Sequence, residues 1–188
     1  MAGRCGDGGH PDRGPRPAGV AAARRPGRRL RRRRPRRPTA SRAVVAAAKH
    51  YIGTPYAWGG GDINGPSAGT YSSTGGGRVV GFDCSGLVLF AVYNATGVQL
   101  AHSAETQGKD SRGSVVPWDW DKMRAGDVVS FSEDGSGAAG SFGHVGIYLG
   151  NGQMIHAPRP GKSVEIVQLR GSRYYEPMAW SIRRYAKS

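Results

Sequence analysis

"HVGIYLGNGQMIHAP", residues 144–158, sets two apolar runs around an Asn-Gly pair and carries a histidine near each end. Apolar and β-branched residues flanking Asn-Gly read as a β-hairpin. The loop length decides where the histidines point, because a slip of one residue sends every side chain of a strand to the opposite face. A two-residue Asn151-Gly152 loop would pair Gly150 with Gln153 and put Ile147 opposite His156, leaving His144 on the other face. A three-residue Gly150-Asn151-Gly152 loop pairs Leu149 with Gln153 and puts Gly146 opposite His156. One face then reads His144, Gly146, Tyr148, Met154, His156. The other reads Val145, Ile147, Leu149, Ile155, Ala157. The second register separates the apolar residues cleanly, so the hairpin is expected to carry His144 and His156 on the same face.

Further strand patterns surround the hairpin. "DVVSF" (127–131), "SVEIVQL" (163–169) and "MAWSIRRY" (178–185) are short, rich in β-branched or aromatic residues, and bounded by turn residues. Upstream the pattern is helical. "TASRAVVAAAKHYIG" (39–53) reads as a helix with Thr39 or Ser41 at its start and Gly53 at its end. "CSGLVLFAVYNATG" (84–97) reads as a second, with Asp83 or Ser85 near its cap and Gly97 at its end. Leu87 to Val92 are apolar on every side, so this helix should be central and buried. "HSAETQGKD" (102–110) suits a short third helix. Helices first and antiparallel strands afterwards predict an α+β domain, with N-terminal helices packed on a five- to six-stranded antiparallel sheet. The 28 residues between the first two helices, "TPYAWGGGDINGPSAGTYSSTGGGRVVG", show little periodicity. A connection that long is often functional.

The net charge of +14 suggests a nucleic-acid binder until it is located. Residues 1–40 hold 13 Arg and 2 Asp, or +11, and the remaining 148 residues carry only +3. The folded part therefore has no strong electrostatic pull toward nucleic acid. Residues 1–40 are Arg/Pro/Gly-rich with little to bury, so they are expected to be a disordered tail, with the folded domain at 41–188. The tail reads as a solvated basic segment, a stretch upstream of the true start, or a patch for anionic wall polymer, membrane or nucleic acid. No export signal is visible, since the Arg-rich run is followed only by "AVVAAA". No apolar stretch approaches the roughly 18 residues of a membrane span.

The chain has two cysteines, Cys5 in the tail and Cys84 at the start of the second helix. A bridge between those two places is not expected, which leaves Cys84 as a thiol outside any disulfide. A helix N-terminus stabilises a thiolate through its N–H groups and dipole, and a nearby imidazolium adds to that. With His144 and His156 on one face, the three residues fit a nucleophile, a base and a group that orients the base. One Cys and two His without CxxC or HExxH spacing match metal sites poorly, so neither metal nor cofactor is expected. His10 and His50 look incidental, and His102 has no assigned role.

"GTPYAWGG" (53–60), "GFDCSGLVLFAVYNATGVQLAHSAETQ" (81–107), "MRAGDVVSF" (123–131) and "GHVGIYLGNGQMIHAPRPGKSVEI" (143–166) together resemble, in order and spacing, the NlpC/p60 family of bacterial cell-wall cysteine peptidases. The long insert before "DCSGL" is most similar to the actinobacterial branch. The resemblance implies a papain-like α+β fold and hydrolysis of the peptidoglycan stem peptide between D-isoglutamate and the following diamino acid. It implies Cys84 as nucleophile, His144 as general base and His156 as third residue. It also implies Tyr56 beside the nucleophile as an oxyanion aid, and Asp83 and Ser85 as flanking substrate contacts. Trp58 is read either as a wall of the cleft or as core filling, and Trp118, Trp120 and Trp180 as packing. One departure is that several actinobacterial relatives carry an acidic third residue where this chain has His156. A monomer acting outside the cell or in the wall is expected. Other readings stay open: an amide hydrolase or acyltransferase on the same relay, a non-catalytic wall-binding module, or a nucleic-acid binder acting through its tail.

Overall fold

The hairpin forms in the register that gathers both histidines. A computed structural model describes Gly14 and residues 39–70, 79–132 and 141–185 of the 188-residue chain. The described elements run α1 (Ala40–Lys49), β1 (Ser67–Ala68), β2 (Val80–Gly81), α2 (Cys84–Thr96), α3 (Ala104–Lys109), β3 (Ser114–Val115), β4 (Val128–Ser132), β5 (His144–Gly150), β6 (Gln153–His156), β7 (Glu165–Gln168) and β8 (Ala179–Arg184). Apart from Gly14, Thr39 and Ala40, the expected disordered segment 1–40 and its Cys5 lie outside the described residues.

Strands β3 to β8 form one six-stranded antiparallel sheet in the order β3-β8-β4-β5-β6-β7. In the central hairpin, Ile147 pairs with Ile155 and Tyr148 with Met154, as the apolar segregation demands. The loop itself differs from expectation. Gly150, not Leu149, pairs with Gln153, so Asn151-Gly152 is a two-residue turn and a bulge absorbs the extra residue. Gly150, Asn151 and Gly152 all take positive φ (85°, 53° and 76°). Two successive positive-φ residues make the hairpin turn that matches strand twist, and a positive-φ glycine suits the bulge. Two loop chemistries are thus combined, and burial of the apolar face keeps the register.

That face builds the larger core. Val145, Ile147, Ile155, Ala157 and Val128 pack with Val44 and Ala48 of α1 and with the buried side chains of α2. Residues Ser85 to Val92 of α2 are all buried, which accounts for a helix apolar on every side. Asp83 caps its start and Gly97, in the left-handed conformation, ends it. Thr39 occupies the cap position of α1 without a side-chain capping bond, and α1 stops at Lys49, short of Gly53. On the other face of the sheet, Val129, Phe131, Tyr148, Met154, Leu169 and Ile182 form a second core, with Trp120 and Trp180 packed against it.

Three short strands were not legible in the sequence. β3, β1 and β2 have two residues each, too few to show a period of two. β1 and β2 pair within the long connection between α1 and α2, of which residues 71–78 lie outside the described set. This connection is tied to the start of α2. Ala57 N–H donates to Phe82 O (3.0 Å) and Asp83 N–H to Gly60 O (2.9 Å).

Candidate active site

Cys84 is the first residue of α2 and half-buried. What holds it is largely the carboxylate before it. Asp83 Oδ1 accepts from Gly86 N–H (2.7 Å) and the Ser85 hydroxyl (3.0 Å), and lies 2.9 Å from His102 Nε2. Its other oxygen accepts from Gly59 N–H at 2.9 Å. One side chain therefore caps the helix, anchors the "WGGG" loop and fixes an imidazole. Burial alone would raise the Asp83 carboxyl, but bonds from His102, Gly86 and Ser85 outweigh it and hold the pKa below the ordinary value. His102 shifts the other way: its bond to Asp83 raises it, against the opposing effect of burial.

Gly86 has a distinct reason to be glycine. A Cβ there would collide with the carbonyl of Gly60. The close approach of that loop to the first turn of α2 is what brings Gly59 N–H to Asp83. Gln107, fully buried on α3, braces the same turn by donating from Nε2 to Ser85 O (2.9 Å) and Ala101 O (2.7 Å).

The histidines come from the hairpin. His144 opens β5 and His156 closes β6, and their rings meet edge to face with His144 Nε2 2.7 Å from His156 Nδ1. Phe131, paired with His144 across β4–β5, stacks against the His144 ring, and Tyr175 lies against His156. Both imidazoles are buried. Burial pushes His144 down to about 4, against a smaller upward pull from Asp83. Burial, and then the neighbouring His144, push His156 down to about 3. Both rings are neutral at pH 7.

One cleft of about 1190 Å³ is lined by all seven residues singled out in the sequence: Tyr56, Trp58, Asp83, Cys84, Ser85, His144 and His156. Tyr56 is buried beside the cleft, joined by a bridge to Phe82. Trp58 is 54% exposed, which makes it a wall of the cleft and not core filling. Trp118, Trp120 and Trp180 form an aromatic cluster elsewhere. Ser85 and Asp83 line the cleft, but their mutual bond and the N–H donors around them give both an architectural task as well. Among the described residues no group of three or more His, Cys, Asp and Glu side chains is arranged to hold a metal ion. Sequence reasoning missed His102 and Gln107. The signal was present in "AHSAETQ", where the Ser103 cap starts α3 and fixes the turn that carries both.

Fold and site together define a class: an α+β domain in which a helix-start cysteine and a hairpin histidine pair share one cleft. The chain belongs to the NlpC/P60 family, whose model matches residues 53–184. It is 42% identical over 131 residues to the peptidoglycan endopeptidase RipA of Mycobacterium tuberculosis, covering 70% of this chain and 25% of that protein. It is 36% identical over 142 residues to the gamma-D-glutamyl-L-lysine dipeptidyl-peptidase of Bacillus subtilis, covering 75% of this chain and 40% of that one. A solved structure of RipA mutated at a glutamate superposes with a TM-score of 0.65 at 38% identity, covering 79% of this chain and 63% of that chain. RipD of M. tuberculosis, described as a non-catalytic NlpC/p60 protein adapted to peptidoglycan binding, has a TM-score of 0.61 at 28% identity, covering 79% of this chain and 98% of that one. The chain thus spans a quarter to two fifths of these two curated relatives.

Proposed function

We propose that this chain is a cysteine endopeptidase that hydrolyses the peptidoglycan stem peptide between D-isoglutamate and the following diamino acid. The observation that carries the reading is the single cleft shared by Cys84 and the hydrogen-bonded pair His144–His156. The peptidoglycan peptidases among its relatives supply the substrate class. Such a substrate places the enzyme outside the cell membrane, at the wall. Among the described residues no helix is long and apolar enough to cross a membrane.

The roles in this reading follow from the contact between the two rings. His144 Nε2 is engaged with His156, so Nδ1 is the nitrogen left to take the Cys84 proton. Neutral at pH 7, His144 is available as a base. As the proton moves to Nδ1, the thiolate attacks the scissile carbonyl, and the start of α2 favours the anion. The tetrahedral oxyanion is held by the Cys84 backbone N–H with help from Tyr56. His144, now an imidazolium, gives its proton to the departing amine and leaves a thioester. Water, deprotonated by the same ring, then releases the acid and restores the thiol. His156 accepts from His144 Nε2–H and keeps that ring in the tautomer the first step requires.

The test is digestion of purified peptidoglycan by the full chain beside its Cys84→Ala variant, with fragments identified by mass spectrometry. Release of D-isoglutamyl-terminated fragments by the Cys84 form alone is expected. Equal release by both would remove Cys84 from the chemistry. Binding without cleavage by either would point to the wall-binding role described for RipD.

A further inference from the structure

The relay has an outer end that the chemistry above leaves unexplained. For His156 to accept at Nδ1, it must carry its own proton on Nε2. That nitrogen is buried and, among the described residues, has no hydrogen-bond partner. A buried N–H without an acceptor costs about 1–3 kcal/mol, so this arrangement would not hold unaided. With the proton on Nδ1 instead, His156 would donate to His144 Nε2. Neutral His144 would then carry its proton on Nδ1, the nitrogen that must be vacant for Cys84. The tautomer of His156 therefore decides whether His144 is a base.

One group can make that choice. Glu165 opens β7 directly opposite His156 in the β6–β7 register, so both side chains stand on the same face of the sheet. Its Oε1 lies 4.0 Å from His156 Nε2. Its side chain is about half exposed and free to turn, and closing the gap to the ordinary hydrogen-bond length of about 3 Å takes a shift of about 1 Å. Among the described residues no Lys or Arg side chain lies within ion-pair distance of Glu165.

We propose that Glu165 is a positioning residue of the catalytic relay, which accepts a hydrogen bond from His156 Nε2–H and so locks both imidazoles in the productive tautomer. The order is then Glu165 Oε1, His156 Nε2–H, His156 Nδ1, His144 Nε2–H, which leaves His144 Nδ1 without a proton for the thiol. No proton needs to leave His156 during turnover. The carboxylate also places a negative charge at the far end of the relay when His144 becomes an imidazolium. This inference rests on the reading of His144 as base.

The test compares the full-length chain with its Glu165→Gln and Glu165→Ala variants, using ¹⁵N NMR of the histidine rings alongside steady-state cleavage of a stem tetrapeptide. In the parent, His156 is expected as the Nε2–H tautomer. Glu165→Gln keeps an acceptor oxygen and should keep that tautomer and most of kcat. Glu165→Ala should give a mixed tautomer and a kcat lower by roughly tenfold with KM unchanged, as is typical when a partner behind a functional histidine is lost. Glu165 is exposed enough for both variants to fold, and thermal melts check this. Identical ring ¹⁵N shifts in all three proteins, or an Nδ1–H tautomer in the parent, would overturn the proposal. The NMR arm does not depend on cleavage. A tautomer change in Glu165→Ala beside a parent that cuts nothing would defeat the functional reading and leave the Glu165 contact standing.

Discussion

The two sides of the cleft are built on opposite electrostatic plans. On the α2 side, one carboxylate gathers three N–H and O–H donors and lies against the His102 imidazole. On the hairpin side, two buried imidazoles share a hydrogen bond, and among the described residues the nitrogen behind them, His156 Nε2, has no partner. The first plan is charged and saturated. The second is neutral and under-satisfied. Saturation holds the first turn of α2, and with it Cys84, in place, whereas burial keeps the hairpin imidazoles neutral.

The largest expected effect breaks the cleft from either side. Cys84→Ala and His144→Ala should each reduce stem-peptide cleavage by roughly 10⁴-fold or more, because members of a relay act as a unit. Rates on a soluble tetrapeptide check this. If only the cysteine variant lost activity, the hairpin would have no part in the chemistry and the comparison would collapse.

Acid should loosen one side and alkali the other. His144 titrates near 6.5 when unfolded and near 4 when folded, so between those values the unfolded chain binds more protons. Stability on the hairpin side is therefore complete above about pH 6.5 and lost as pH falls toward 4, by roughly 3 kcal/mol for this ring. His102 is shifted upward, so the contribution of its pair with Asp83 is present below pH 6.5 and lost as pH rises through its raised value. Asp83 is shifted downward, so the same pair also weakens as pH falls through its lowered value. Thermal melts from pH 4 to 9, with hydrogen exchange resolved by region, should show the hairpin yielding first in acid. Loss of the α2 corner first, at pH 5, would reverse the assignment.

A smaller effect sharpens the saturated side. Asp83→Ala removes a helix cap and strands Gly59 N–H and His102, and should cost about 2 kcal/mol in a denaturant melt. No change would mean that α2 is held by its buried face alone. The smallest effect concerns the wall of the cleft. Trp58 is exposed, so Trp58→Ala should leave the melting temperature within about 2 °C and raise KM severalfold at constant kcat. A drop in kcat instead would place Trp58 among the groups that orient the reacting bond.

Much of this was legible in residue order because the decisive signals are local. Asp83 and Gly97 bracket a helix through cap chemistry, which acts within a few residues, and α2 spans Cys84–Thr96 between them. The shared face of His144 and His156 followed from apolar alternation alone. The bulge at Leu149–Gly150 did not, because the alternation fixes which residues face the core and not how the turn absorbs the odd one. β1, β2 and β3 escaped notice for want of length. The double life of Asp83 escaped because its partners Gly59 and His102 stand 24 and 19 residues away.

The sequence by itself determined the fold class, the helix-start cysteine and the facing of the two histidines, since period and capping are properties of neighbouring residues. Only the tertiary structure decided that Asp83 is saturated, that both imidazoles are neutral, and that Glu165 stands behind His156. Those depend on burial and on which strands lie side by side, and burial sets the cost of every charge that chemistry at this site must move.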